Sequence, residues 1–169
     1  MNLSFSLDRV IVSLDRIIAG LFGGVLMPMF GYFYGTDSIV ITAMVTLIFF
    51  IVLDWLSGIR ASKKDNTYGS RYGVDGVFRT FFIVLLPAGG HLLDVMIGLP
   101  GMLFGLFVGG LIYHTLQSMI ANCIRVGWAD WLPISALELA TNWVQSELEA
   151  KMTRAQQRTD ERNVKVKGR

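Results

Sequence analysis

Four long apolar segments divide the chain, and shorter polar stretches separate them. The segments run from about residue 17 to 34, 39 to 56, 77 to 97 and 99 to 121. Each holds about 18 to 23 residues, the length that an α-helix needs to cross a hydrocarbon core of about 30 Å. The pattern therefore predicts an all-α, polytopic membrane protein with four transmembrane helices.

Amphipathic segments flank these four spans. Apolar positions recur at helical spacing up to Ile18, which predicts an interfacial N-terminal helix or a polar start to the first span. After Pro133 they recur at intervals of three and four residues, at Ile134, Leu137, Thr141, Val144 and Leu148. This predicts an amphipathic helix that lies on the membrane or pairs with a copy of itself, followed by a charged, disordered tail over residues 153 to 169. The predicted division is a membrane domain, residues 1–133, and a cytoplasmic helix and tail, residues 134–169.

The composition agrees with a membrane protein. The 169 residues are 53% hydrophobic with a mean hydropathy of +0.51, and 17% are charged, against about 25% in an average soluble domain. The net charge of +2 is too small to indicate nucleic acid binding, and the basic C-terminal end fits an anionic membrane surface better. The single cysteine, Cys123, excludes an intramolecular disulfide.

The basic residues predict the orientation. All fifteen Lys and Arg residues fall at the N-terminus, in the stretch from Asp54 to Arg79, or after residue 124. Four spans place these three regions on one side of the membrane, and the two turns on the other side, at residues 35–37 and 98–101, contain neither Lys nor Arg. Because basic loops stay in the cytoplasm, we expect both termini to be cytoplasmic.

Polar residues within the spans are the candidate chemistry, since nothing in the sequence indicates a catalytic site, a metal site or a cofactor. His91 and Asp94 share a helix face in the third span, and His114 and Gln117 lie in the fourth. An ionisable group inside a membrane is costly and often functional, so these residues are candidates for a polar path. The alternative is that they hydrogen-bond between helices and that Asp94 reaches the headgroups.

Glycines recur at four-residue spacing in two spans. Gly101, Gly105 and Gly109 do so in the fourth span, and Gly20 and Gly24 in the first. Such spacing gives a smooth helix face that another backbone can approach closely. These residues are therefore the predicted surfaces for helix packing and oligomerisation, with a partner inside the chain or in a second copy.

The stretch between the second and third spans resembles the bacteriophage holin family, which includes the clostridial toxin-secretion holins. The residues that carry the resemblance are Asp54, Gly58, Ala61, Lys63, Lys64, Ser70, Gly76, Arg79 and Asp94. A second, looser match runs over residues 118–122 and on to Gly127 and Pro133. There Ala121 stands where the family has a glutamate, and His114 and Thr115 stand where an Asn-Glu pair is common.

The resemblance implies a pore-forming, multi-pass protein of the bacterial inner membrane, encoded by a phage or prophage. Such a protein forms homo-oligomers in the membrane lipid and opens lesions through which a peptidoglycan hydrolase (an endolysin) or a secreted toxin passes. Two other classes stay open from the residues alone. A small transporter or ion channel would use the intramembrane polar groups, and a non-conducting scaffold would act through its C-terminal helix.

Overall fold

The computed structural model describes residues 16–17 and 19–167, which form helices joined by short turns. The helices are α1 (Met27–Tyr34), α2 (Ser38–Lys64), α3 (Ser70–Ile97), α4 (Met102–Val126) and α5 (Ile134–Lys167). A π-helical segment, Phe22–Leu26, precedes α1, and a 3-10 turn, Trp128–Asp130, joins α4 to α5. The predicted N-terminal amphipathic segment lies almost wholly outside the described residues.

Three helices are long and apolar enough to cross a membrane: Ser38–Lys64, Gly73–Ile97 and Met102–Val126. They confirm apolar helices at the second, third and fourth predicted segments. The first segment forms a shorter apolar helix, Ala19–Tyr34. Its π-helical part ends just before Pro28, whose ring nitrogen has no N–H to donate to the preceding turn. The fourth crossing and the orientation of the chain stay predictions.

The basic stretch between α2 and α3 is more helical than the sequence suggested. The sequence predicted that the second span ends near residue 56 and the third begins near residue 77, but α2 continues to Lys64 and α3 begins at Ser70. Lys, Arg and Ser residues are compatible with a helix, so a helix need not end where its apolar segment ends. For the same reason α4 ends at Val126 and not near residue 121.

The prediction of a disordered tail is wrong for most of its length, because α5 continues to Lys167. The region is rich in Ala, Gln, Glu, Lys and Arg, which have high intrinsic helix propensity. Glu147 also lies 3.9 Å from the ammonium of Lys151 and 3.5 Å from the guanidinium of Arg154. The Glu147–Lys151 pair, four residues apart on an exposed helix, adds about 0.3 kcal/mol.

Helix α4 is the centre of the bundle, and it packs against α2, α3 and α5. Its buried residues form two apolar clusters, one around Phe104 and Val108 and the other around Leu116 and Met119. Helix α1 joins through α3, where the Tyr34 hydroxyl donates a hydrogen bond of 2.9 Å to the carbonyl of Val84. Helices α2 and α3 make little direct contact, and a groove separates them.

Helices α3 and α4 approach each other closely at Gly90. A Cβ atom at Gly90 would lie 2.7 Å from Cδ2 of Phe107 and 3.0 Å from backbone atoms of Leu103 and Phe104. Any side chain would push the two backbones apart. Sequence reasoning missed this contact, because Gly90 has no other glycine four residues away.

Candidate functional site

A polar cluster around Asp54 joins three helices near the basic end of the bundle. Asp54 of α2 is only 5% exposed. Its Oδ2 accepts a hydrogen bond of 3.0 Å from Nη2 of Arg79 on α3, and its Oδ1 accepts one of 3.1 Å from Nδ2 of Asn122 on α4. A buried carboxylate is costly unless it is paired and hydrogen-bonded. Each of the three helices thus supplies one residue of the cluster, and the two partners offset the cost of burying the Asp54 carboxylate.

A second polar bridge lies beside this cluster. Nε1 of Trp55 donates a hydrogen bond of 2.9 Å to Oγ1 of Thr80. The Trp55 ring also covers Gly76, where a Cβ atom would lie 3.5 Å from Cζ2. At this end, therefore, α2 and α3 are connected by polar bridges and one tryptophan ring, with little apolar packing between them.

Asp94 lies at the opposite end of α3 and is 1% exposed. Its two carboxylate oxygens accept hydrogen bonds of 2.9 and 2.8 Å from the backbone N–H groups of Leu103 and Phe104. These groups belong to the first turn of α4 and have no acceptor within their own helix. Asp94 therefore caps α4, where the positive end of the helix dipole favours a carboxylate. Both of its carboxylate oxygens therefore have partners within the chain.

The turn between α3 and α4 makes this cap possible. Gly98 and Gly101 have φ angles of 75° and 74°, a left-handed conformation that is costly for residues with a side chain. Together they reverse the chain so that the start of α4 faces Asp94. Gly101 accordingly precedes α4 and does not lie on its helical face.

Neither His91 nor His114 hydrogen-bonds to Asp94 in the part of the chain that the structure describes. The His91 ring packs against Gly35, where a Cβ atom would lie 3.2 Å from Cε1. His114 is exposed on α4, and Nε2 of Gln117 donates a hydrogen bond of 2.7 Å to the Tyr113 hydroxyl. The described residues contain no group of three or more His, Cys, Asp or Glu side chains arranged to hold a metal.

The other predicted glycines have different surroundings. A Cβ atom at Gly20, Gly24 or Gly105 would meet no atom within 4 Å, whereas one at Gly109 would collide with Cδ2 of Leu148 on α5. Gly109 therefore serves packing within the chain, and the faces at the other three are open in a single subunit.

Helix α5 runs back along α4. Ile134 and Leu137 pack beside Leu116 and its neighbours near the end of α4, while Leu148 reaches Gly109. Gly109 lies about 25 Å from the end of α4 at a rise of 1.5 Å per residue. The structure thus places α5 antiparallel to α4, one of the three helices that are long and apolar enough to cross a membrane.

The lysines of the family motif lie where the helices meet at the basic end. Nζ of Lys64 donates a hydrogen bond of 3.0 Å to the carbonyl of Val126 at the end of α4, where a cation complements the helix dipole. Nζ of Lys63 lies 5.1 Å from the centroid of the Tyr68 ring. Gly58 is buried in α2, and Ser70 begins α3.

The partners of Asp54 and Asp94 were missed by sequence reasoning. Arg79 and Asn122 were available as signals, because both belong to the stretches that resemble the holin family. Their meeting at one carboxylate depends on the arrangement of three helices, which the linear pattern does not contain. The partners of Asp94 are backbone N–H groups, which every residue except proline has, so the residue types in the sequence do not indicate them.

Comparison with known proteins gives the same family. The model of the bacteriophage holin family matches residues 28–135. Uncharacterized protein Lmo0128 of Listeria monocytogenes is 27% identical over 99 residues, which cover 59% of this chain and 69% of the relative. Uncharacterized protein BH0965 of Halalkalibacterium halodurans is 28% identical over 108 residues, 61% of this chain and 78% of the relative. No solved structure matches the chain significantly.

The family match extends from α1 to the start of α5 and contains both buried aspartates together with Arg79 and Asn122. It covers well over half of the chain. The chain therefore belongs to the bacteriophage holin family.

Proposed function

We propose that this protein is a holin that crosses the bacterial inner membrane four times and assembles into lesions. A peptidoglycan hydrolase or a toxin then passes through these lesions. The basic end of the bundle, with Asp54 and Lys64, faces the cytoplasm, because the Lys and Arg residues of the helix connections lie there. The family match supports this proposal, and the position of α5 indicates how the subunits could surround a lesion.

Helix α5 is unlike the other helices of the bundle. It contacts α4 through Leu137, Thr141 and Leu148, yet Glu138 and Glu149 on its other faces are exposed. Charged side chains at the depth of Gly109 are costly against lipid. They become tolerable if they face water or a neighbouring subunit. In a ring of subunits with α5 on its inner side, these charges would face the water-filled centre and the neighbouring subunits.

Open glycine faces offer a way for subunits to meet. Helix association in lipid depends on close packing, since lipid tails are as apolar as the side chains. A Cβ atom at Gly105 would meet no atom of another part of the chain within 4 Å, and Gly20 and Gly24 are equally open. Gly105→Leu should therefore reduce crosslinked oligomers and delay or abolish lysis, while Leu106→Ala in the same turn changes little.

The decisive experiment is expression of the chain with and without a cytoplasmic peptidoglycan hydrolase that has no export signal of its own. We expect abrupt lysis only when both are present, because the hydrolase cannot cross an intact membrane. An inert membrane protein at the same level is the control. Continued growth with both proteins present in normal amounts would contradict the holin function.

The role of α5 has its own test. In a Cys123→Ser background, a cysteine at Glu149 should react with a membrane-impermeant thiol reagent once lesions open. A cysteine at Phe49, which is 57% exposed on an apolar face of α2, is the matched control and should stay unreacted. Equal protection of both positions during lysis would show that α5 does not line the water-filled path.

A further inference from the structure

The space between α2 and α3 has a polar mouth at the basic end of the bundle. This cavity has a volume of about 200 Å³. Arg79 and Asp75 supply its charged groups beside Asp54, and Trp55 and Tyr68 supply aromatic walls. Gly73 and Gly76 leave room here, because neither has a side chain that would close the gap between the helices.

An apolar groove continues from the mouth towards the middle of the bundle. It encloses about 400 Å³. Ile48, Val52 and Leu56 line it on α2, and Val84 lines it on α3, while Trp55 borders both the mouth and the groove. A polar mouth at the end of a span, joined to an open apolar groove along that span, has the shape of one phospholipid with its headgroup and an acyl chain.

The charges in the mouth indicate which headgroup fits. The side chain of Arg79 is 50% exposed, and one N–H of its guanidinium binds Asp54. Its other N–H groups can donate to a phosphate. Asp75 is exposed, lies one turn away on α3, and has no ion pair within the part of the chain that the structure describes. Its carboxylate can therefore form an ion pair with an ammonium group.

We propose that the groove between α2 and α3 binds a phospholipid with a zwitterionic phosphoethanolamine headgroup. The phosphate pairs with Arg79, the ammonium pairs with Asp75, and an acyl chain fills the groove past Val52. A glycerol headgroup has the same phosphate but no cation for Asp75. The site also gives α2 and α3 the apolar contact that their side chains do not make directly. This inference does not depend on lesion formation.

The headgroup is tested by reversing the charge at Asp75. The full chain is placed in nanodiscs that contain equal amounts of phosphatidylethanolamine and phosphatidylglycerol, then released, and the retained lipid is identified by native mass spectrometry. We expect the original chain to retain phosphatidylethanolamine about fivefold over phosphatidylglycerol, and Asp75→Lys to reverse that preference, since one exposed ion pair is worth up to about a fivefold change. Glu138→Lys makes the same charge change on α5 and should leave the preference unaltered.

The acyl chain is tested by filling the groove. Val52→Trp should reduce the retained lipid by more than half, whereas Val45→Trp makes the same change on α2 outside the groove and should retain it. Equal retention by both variants would overturn the proposal, as would an unchanged headgroup preference in Asp75→Lys. Crosslinks between two copies through cysteines at Val52 and Val84, with no lipid retained, would assign the groove to a second subunit. If Val52→Trp fails to fold, the exposed Asp75→Lys variant decides the question.

Discussion

The two buried aspartates of this protein are stabilised in different ways at opposite ends of α3. Asp54 depends on side chains from two other helices, Arg79 and Asn122. Asp94 depends on backbone N–H groups at the start of α4, which the chain places there by a short turn. The first arrangement breaks when helices separate or when one side chain changes. The second persists as long as the turn does.

The helices are also packed more closely around Asp94 than around Asp54. Near Asp94, Gly90 brings the backbones of α3 and α4 into contact. Near Asp54, α2 and α3 leave a groove between them. Helices α3 and α4 are therefore tightly packed near their turn, whereas α2 and α3 are loosely joined near the basic end. A membrane protein that rearranges during assembly would open where the contacts are polar and few, so we expect α2 and α3 to separate first.

The largest effect is expected from Asp94→Ala. This change leaves two buried N–H groups at the start of α4 without acceptors and removes the capping charge, which should cost about 2–4 kcal/mol. Unfolding of the purified protein in mixed micelles would measure the loss. Asp94→Asn retains one acceptor oxygen and should lose about half as much. Equal losses in the two variants would show that the cap hydrogen bonds do not stabilise the turn.

Arg79→Met should have the next largest effect, since it leaves the Asp54 carboxylate buried without a cation. Removal of one member of a fully buried pair costs about 3–5 kcal/mol, but Arg79 is half exposed and water compensates part of the loss. We therefore expect about 1–3 kcal/mol in the same unfolding measurement. The double variant with Asp54→Asn should recover part of this loss, because no uncompensated charge then remains. No recovery would indicate that Arg79 acts through packing alone.

A matched pair of glycines compares the packing at the two ends. Gly90→Ala forces its Cβ atom against backbone atoms of α4 and should cost about 1–2 kcal/mol, as overpacking does in protein cores. Gly76→Ala places its Cβ atom at an ordinary contact distance of 3.5 Å from the Trp55 ring. The free energy of unfolding should then change by less than about 0.5 kcal/mol, because Ala also has the higher helix propensity. Similar losses at both positions would contradict the difference in packing.

The sequence predicted the apolar membrane helices well, because hydropathy over a span depends on composition and not on neighbours. It predicted the ends of the helices poorly, since Lys64 and Ser70 are as compatible with a helix as with a loop. The buried aspartates were recognised through the family resemblance, but their partners depend on how three helices meet. The amphipathic pattern of α5 was equally consistent with a lipid surface or with another helix. The contacts of Leu137 beside Leu116 and of Leu148 with Gly109 show that its partner within the chain is α4.

The smallest predicted effect concerns the basic end itself, where Lys64 binds the carbonyl of Val126. A cation at an exposed helix C-terminus contributes about 0.5 kcal/mol or less, and salt screens it. Lys64→Met should therefore lower the free energy of unfolding slightly at low ionic strength and hardly at all at high ionic strength. Arg60→Met on the same helix removes an exposed cation for which the structure describes no partner, and it should change neither value. An effect of Lys64→Met that persists at high salt would mean that this bond is shielded from water, and the basic end would then be more tightly joined than the groove suggests.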